Sequence, residues 1–123
     1  MRRRIPLAFF MAGVGLILWF GLLSHASLVG TVLGLRGDLV EHVCAFAYMG
    51  FFGLLLWRPV VYVVVGLILA AGVLEILQML FPFHHASVVD WGASSSGVLC
   101  GVLVWGVLRF LPLFPLRRII GSE

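Results

Sequence analysis

Four long apolar runs constrain this sequence more than any other feature. The first, residues 5–23, has nineteen residues without a charge, and the others cover residues 42–57, 60–80 and 90–108. A helix of about 20 apolar residues is long enough to cross a hydrocarbon core of about 30 Å. Because a backbone in lipid must pair its polar groups internally, and because barrel strands are much shorter, these runs predict four transmembrane α-helices.

The composition excludes an ordinary soluble domain. The 123 residues are 63% hydrophobic and 11% charged, whereas soluble domains are about 45–50% apolar and about 25% charged. A soluble chain of this length cannot bury so much apolar surface. We therefore predict a single all-α integral membrane domain over residues 1–123, with a basic tail at 109–123 and membrane lipid as its partner.

The arginines predict how the helices are oriented. Four spans place both termini on one side of the membrane, and seven of the eight arginines fall on that side, with only Arg36 opposite. By the positive-inside rule, we expect cytoplasmic termini and a multi-pass protein of the bacterial cytoplasmic (inner) membrane. The arginines form no stripe interleaved with aromatic residues, so no nucleic-acid partner is predicted.

A cleaved signal peptide is the alternative interpretation of the first run. Ser24, His25 and Ala26 place small residues where a cleavage site would need them. However, the run exceeds the usual apolar region of about 7–15 residues, and the chain that follows is again membrane-like. We therefore expect the first helix to be retained.

Polar side chains collect at the predicted outer face, where the second helix begins, the third ends and the fourth begins. Residues four apart, such as Asp38 and His42, or three apart, such as Glu75 and Gln78, share one face of a helix. The sequence therefore predicts a binding site formed by Asp38, His42, Glu75, Gln78, His84, Asp90 and Ser94.

Glu75 is the most informative of these residues because it lies inside a predicted span. A charged side chain there costs on the order of 2–3 kcal/mol at the bilayer centre and less near the interface. We expect its side chain to face the bundle interior, with His42 and one of His84 or His85 as partners.

The start of the fourth helix has both a structural and a functional interpretation. Asp90, like Asp38, stands where a helix N-cap is expected, so capping is the alternative to a binding role. Asp90, Ser94, Gly97 and Gly101 follow the spacing of a single helical stripe. Gly97 and Gly101 form a small-xxx-small pair that lets helix backbones approach closely, and we favour packing within the chain over a dimer interface.

These residues and their spacings resemble the VanZ-like family of small membrane proteins over roughly residues 38–104. The family pattern Asp-Lys-x-x-His-x-x-x-Tyr is matched by Asp38 and His42, with Phe46 at the aromatic position. Its Glu-x-x-Gln element is matched by Glu75 and Gln78. Its Arg, Asp, Asn and Gly positions hold, in order, His84, Asp90, Ser94 and Gly97.

Three departures from the family pattern concern its polar residues. Leu39 replaces the usual Lys, His84 the usual Arg, and Ser94 the usual Asn. The basic members of the site are thereby weakened, which leaves histidines, whose charge depends on pH. The family takes its name from a protein linked to teicoplanin tolerance in glycopeptide-resistance clusters. The resemblance therefore implies a cell-envelope role at the outer face, with glycopeptide tolerance as an example.

Two classes of function fit these observations. The favoured one is a binding protein that recognises an envelope component, such as an envelope precursor, or a partner protein. In a variant of it, the chain is an accessory subunit that stabilises a larger membrane complex. The other is an enzyme acting on a lipid-linked or peptidoglycan-type substrate, with Glu75 as general base and His42 as acid, although no nucleophile motif accompanies them.

A metal site is a third hypothesis. Imidazole and carboxylate groups suit zinc, and the polar residues offer both, from His42, Glu75, His84, His85 and Asp90. Their spacing matches no compact metal motif, however, so the sequence alone predicts no metal and no cofactor.

Overall fold

The computed structural model describes residues 3–23, 37–82 and 84–111. In these residues the chain forms four long helices and no strand: α1 (Arg4–Leu18), α2 (Gly37–Leu56), α3 (Val60–Gln78) and α4 (Val88–Phe110). A π-helical turn, Trp19–Leu23, continues α1. With that turn included, each of the four is long and apolar enough to cross a membrane. The predicted all-helical architecture is thus confirmed for the described residues.

Two helices begin at least two residues earlier than the apolar runs predicted. α2 begins at Gly37 instead of residue 42, and α4 begins at Val88 instead of residue 90. Asp38 precedes the predicted second span and Asp90 is the first residue of the predicted fourth, but both lie in the first turn of their helix. An acidic side chain there is favourable because it faces the positive end of the helix dipole. The charges therefore mark the end of the apolar segment but not the end of the helix.

α2 and α4 form the closest helix pair, and glycine makes their approach possible. A methyl group at Gly97 would collide with the carbonyl oxygen of Val43, and one at Gly101 with that of Ala47. From the other side, a methyl group at Gly50 would lie 2.9 Å from the carbonyl oxygen of Val98. The small-residue stripe of α4 therefore packs within the chain, as predicted.

The core lies between α2, α3 and α4 in two clusters. Phe46 and Leu74 pack with Ala71 and Val98 in one of them. The second, nearer the arginine-bearing ends of the helices, contains Leu54, Val63 and Trp105. α1 packs mainly on α2 and buries little of its own surface.

The outside of the bundle is apolar. Large hydrophobic side chains stay exposed on every helix, among them Ile5, Leu69 and Leu103 at 64–67% exposure. Lipid solvates such a surface, whereas water does not. The four apolar helices and this exterior suggest a multi-pass membrane protein.

Opposite charges lie at opposite ends of the bundle. The arginines among the described residues are near the start of α1, between α2 and α3, and in the last turn of α4. Asp38, Glu75 and Asp90 lie at the other end of their helices. Arg36 and the chain termini lie outside the described residues, as does the predicted basic tail beyond residue 111.

Candidate functional site

Glu75 lies on the buried face of α3, near the end of the helix. Its side chain is 5% exposed, and it precedes the last residue of α3 by about 4.5 Å along the helix axis. The helix ends at Gln78, two residues before the predicted end at residue 80. Glu75 therefore lies nearer the end of its helix than the sequence predicted. The carboxylate therefore faces the other helices, close to one end of the bundle.

The two oxygens of the Glu75 carboxylate differ in their partners. Oε2 accepts a hydrogen bond of 3.0 Å from the backbone N–H of Ser87. Oε1 is buried, and it has no hydrogen-bond partner among the described residues. A buried polar atom without a partner is costly, and in native proteins it often marks a functional site or a bound ion or water. This oxygen therefore retains the capacity to accept a hydrogen bond or to bind an ion.

Ser87 joins the end of α3 to the start of α4. It is the N-cap of α4, and its hydroxyl accepts a hydrogen bond of 3.2 Å from the backbone N–H of Asp90. Asp90 is thus in the first turn and is not the cap, contrary to the capping interpretation. Ser87 was missed as a site residue, although Ser-x-x-Asp before an apolar run is a known start signal for a helix.

His42 on α2 lies close to Glu75 and to the start of α4. Its Nδ1 lies 2.9 Å from the hydroxyl of Ser94 on α4, and Ser94 is almost completely buried. One imidazole nitrogen of His42 and one carboxylate oxygen from each of Glu75 and Asp90 lie within 4.8 Å of one another. We call these three residues the three-helix cluster because each comes from a different helix.

Other predicted site residues lie elsewhere at this end of the bundle. Gln78 is buried, but its Nε2 donates a hydrogen bond of 2.9 Å to the carbonyl oxygen of Gly21 in the π-helical turn. Asp38 is exposed in the first turn of α2. His84 is half-buried, and its backbone N–H donates to the carbonyl of Phe81. Neither Asp38 nor His84 contributes a donor atom to the three-helix cluster.

The cluster is rich in hydrogen-bond acceptors. Two of its three side chains are carboxylates, and the arginines that the structure describes lie at the opposite end of the bundle. Such a site suits a cation or a group that donates hydrogen bonds, and it is unfavourable for an anion.

Comparison of the chain with protein-family models, curated proteins and solved structures finds no match.

Proposed function

We propose that this chain is a multi-pass protein of the bacterial cytoplasmic membrane that binds an envelope component at its outer face through the three-helix cluster. The observation that carries the proposal is the buried carboxylate of Glu75, whose Oε1 is unpaired within the described part of the chain. Such a group is costly to keep at the end of a membrane helix, and an ionisable residue there is a functional-site hypothesis by default. The bundle is then the scaffold that holds the site.

The charge distribution supports this orientation. Arg3 and Arg4, Arg58, and Arg109 share the end of the bundle opposite to the cluster. Since arginine is retained on the cytoplasmic side, both termini are cytoplasmic in our proposal, and the cluster faces outward.

Reporter fusions test the orientation. We expect alkaline phosphatase to be active when fused after His85, between α3 and α4, because that segment is extracytoplasmic in our proposal. The same enzyme fused after Arg58 should be inactive, and green fluorescent protein at the C-terminus should fluoresce. The reverse pattern of activity would contradict the proposed topology.

The chemistry of the cluster indicates which kind of envelope component it binds. Carboxylates accept hydrogen bonds and attract cations, so a sugar hydroxyl or an ammonium group is a suitable partner. A lipid-linked saccharide presents hydroxyls at the height of the membrane surface, where the cluster lies in our proposal. We therefore propose the saccharide part of a lipid-linked envelope precursor as the ligand.

Native mass spectrometry of protein extracted from bacterial membranes in mild detergent tests the ligand. We expect a lipid-linked saccharide to remain with the wild-type protein and to be lost from Glu75→Gln. A hydrogen bond to a charged group contributes about 1.5–3 kcal/mol, so retention should fall by roughly tenfold or more.

Glu41→Gln is the matched control for that experiment. Glu41 is a half-buried acid next to His42 in sequence, and it lies outside the three-helix cluster. Retention by this variant should equal that of the wild type. Equal retention by wild type and Glu75→Gln would reject the proposed site.

Membership of the VanZ-like family remains part of this proposal. The residues that match the family pattern at His42, Glu75 and Asp90 are those whose side chains converge, which supports a shared site. In the accessory-subunit alternative, a larger complex would have to bind another surface, because the glycine face of α4 packs against α2.

A further inference from the structure

We infer that His42, Glu75 and Asp90 form a binding site for a divalent first-row transition-metal ion, with zinc as the best fit. The inference goes beyond the proposed function because it requires no envelope ligand. Among the described residues, these three form the one group of His, Cys, Asp or Glu side chains close enough to share an ion.

The donor set favours zinc over the hard cations. Imidazole nitrogen and carboxylate oxygen are both ligands of Zn²⁺, which takes three protein ligands where one position stays open. Calcium requires six to eight oxygen ligands, and magnesium keeps most of its waters in an octahedral shell. Three donors that include a histidine nitrogen therefore match a transition metal better.

The spacing of the donors is close to that of a bound ion. With bonds of about 2.0–2.2 Å, neighbouring donors of a tetrahedral zinc ion lie about 3.3–3.6 Å apart. The donor atoms of the three-helix cluster already lie within 4.8 Å of one another. The absence of a compact sequence motif does not argue against the site, because each ligand comes from a separate helix.

Each of the three ligands is also positioned by a serine. The Ser94 hydroxyl lies 2.9 Å from His42 Nδ1, and this contact orients the imidazole ring. The Ser87 N–H bonds to Glu75 Oε2 and leaves Oε1 unpaired in the described structure. The Ser87 hydroxyl caps the turn that carries Asp90. Such outer partners orient the ligands of metal sites.

The buried Glu75 side chain is the independent sign that a ligand is needed. It is 5% exposed, one of its carboxylate oxygens belongs to the group, and its Oε1 has no hydrogen-bond partner among the described residues. Two carboxylates that bring one oxygen each within 4.8 Å of the other repel when both are charged. A divalent cation offsets both charges and supplies the missing partner of Oε1.

The test is metal binding by the full-length protein, purified in mild detergent through a tag without histidine. The protein is stripped with a chelator, loaded with Zn²⁺ and freed of excess ion, and its zinc content is measured by mass spectrometry. We expect about one ion per chain, the stoichiometry of a single site with three protein ligands. Titration with Co²⁺ should produce visible absorption bands from the same site.

Substitution of the ligands separates this site from other binding. We expect His42→Gln, Glu75→Gln and Asp90→Asn each to lower the affinity for zinc by about tenfold or more, and Ser94→Ala to lower it by about tenfold. His85→Gln is the matched control, because His85 is exposed and lies outside the cluster, and its affinity should equal that of the wild type. Circular dichroism of each variant identifies any that fail to fold.

The outcomes distinguish this inference from the proposed function. A folded wild-type protein that binds no zinc and shows no cobalt bands would overturn the metal site. Affinities unchanged in both His42→Gln and Asp90→Asn would overturn it as well. Lipid retention measured in the presence of chelator tests the proposed function separately, because that measurement does not need the ion.

Discussion

Replacing Gly97 by alanine is expected to destabilise the folded bundle by about 3 kcal/mol, the upper end of the usual cost of overpacking. The added methyl group would collide with the carbonyl oxygen and the Cα of Val43. These atoms belong to the backbone of α2 and cannot rotate away, so the two helices must separate. Unfolding by sodium dodecyl sulfate in mixed micelles, followed by tryptophan fluorescence, measures the change.

Gly106→Ala is the matched control for this prediction. Gly106 is on the same helix, and a methyl group there would meet no atom within 4 Å. We expect this variant to be as stable as the wild type or slightly more stable, since alanine favours a helix. If both variants had the same stability, α2 and α4 would not be in the close contact described above.

Leu54→Ala should lower the free energy of unfolding by about 2–4 kcal/mol, an effect similar in size to that of Gly97→Ala. Leu54 is 1% exposed and packs against Val63 and Trp105. Its truncation leaves a cavity, and in a membrane the cost comes from lost packing contacts, because lipid is as apolar as the core. The same detergent titration measures this effect.

Leu103→Ala tests whether the apolar exterior faces lipid. Leu103 is on α4 and is 67% exposed. Lipid chains fill the space that its truncation would leave, so we expect a change within about 0.5 kcal/mol. A loss as large as that of Leu54→Ala would mean that this face packs against protein, as in a larger complex.

The helices were predictable because the membrane imposes a length and a composition on each span. Their ends were less predictable, since Asp38 and Asp90 could mark either a loop or a first helical turn. A loop and a first helical turn can contain the same acidic residues, so the charges alone do not distinguish them. Only the position of Ser87, whose hydroxyl caps α4, decides between them at the fourth helix.

The candidate site was predictable in its height along the bundle but not in its contacts. Helix topology places His42, Glu75 and Asp90 at one end. It does not indicate that Glu75 bonds to the backbone of Ser87, or that Gln78 reaches the carbonyl of Gly21. Both contacts depend on side-chain direction and, for Gln78, on a π-helical turn that the apolar run of the first helix does not reveal.

Because its members come from α2, α3 and α4, the three-helix cluster exists only after those helices have associated. Membrane helices insert individually and then assemble, so the separate helices contain no complete site. Any ligand of the cluster therefore binds only the assembled bundle, and its binding free energy adds to the free energy of helix association. Resistance of the protein to unfolding should then rise with occupant concentration, which makes assembly itself responsive to supply of that occupant.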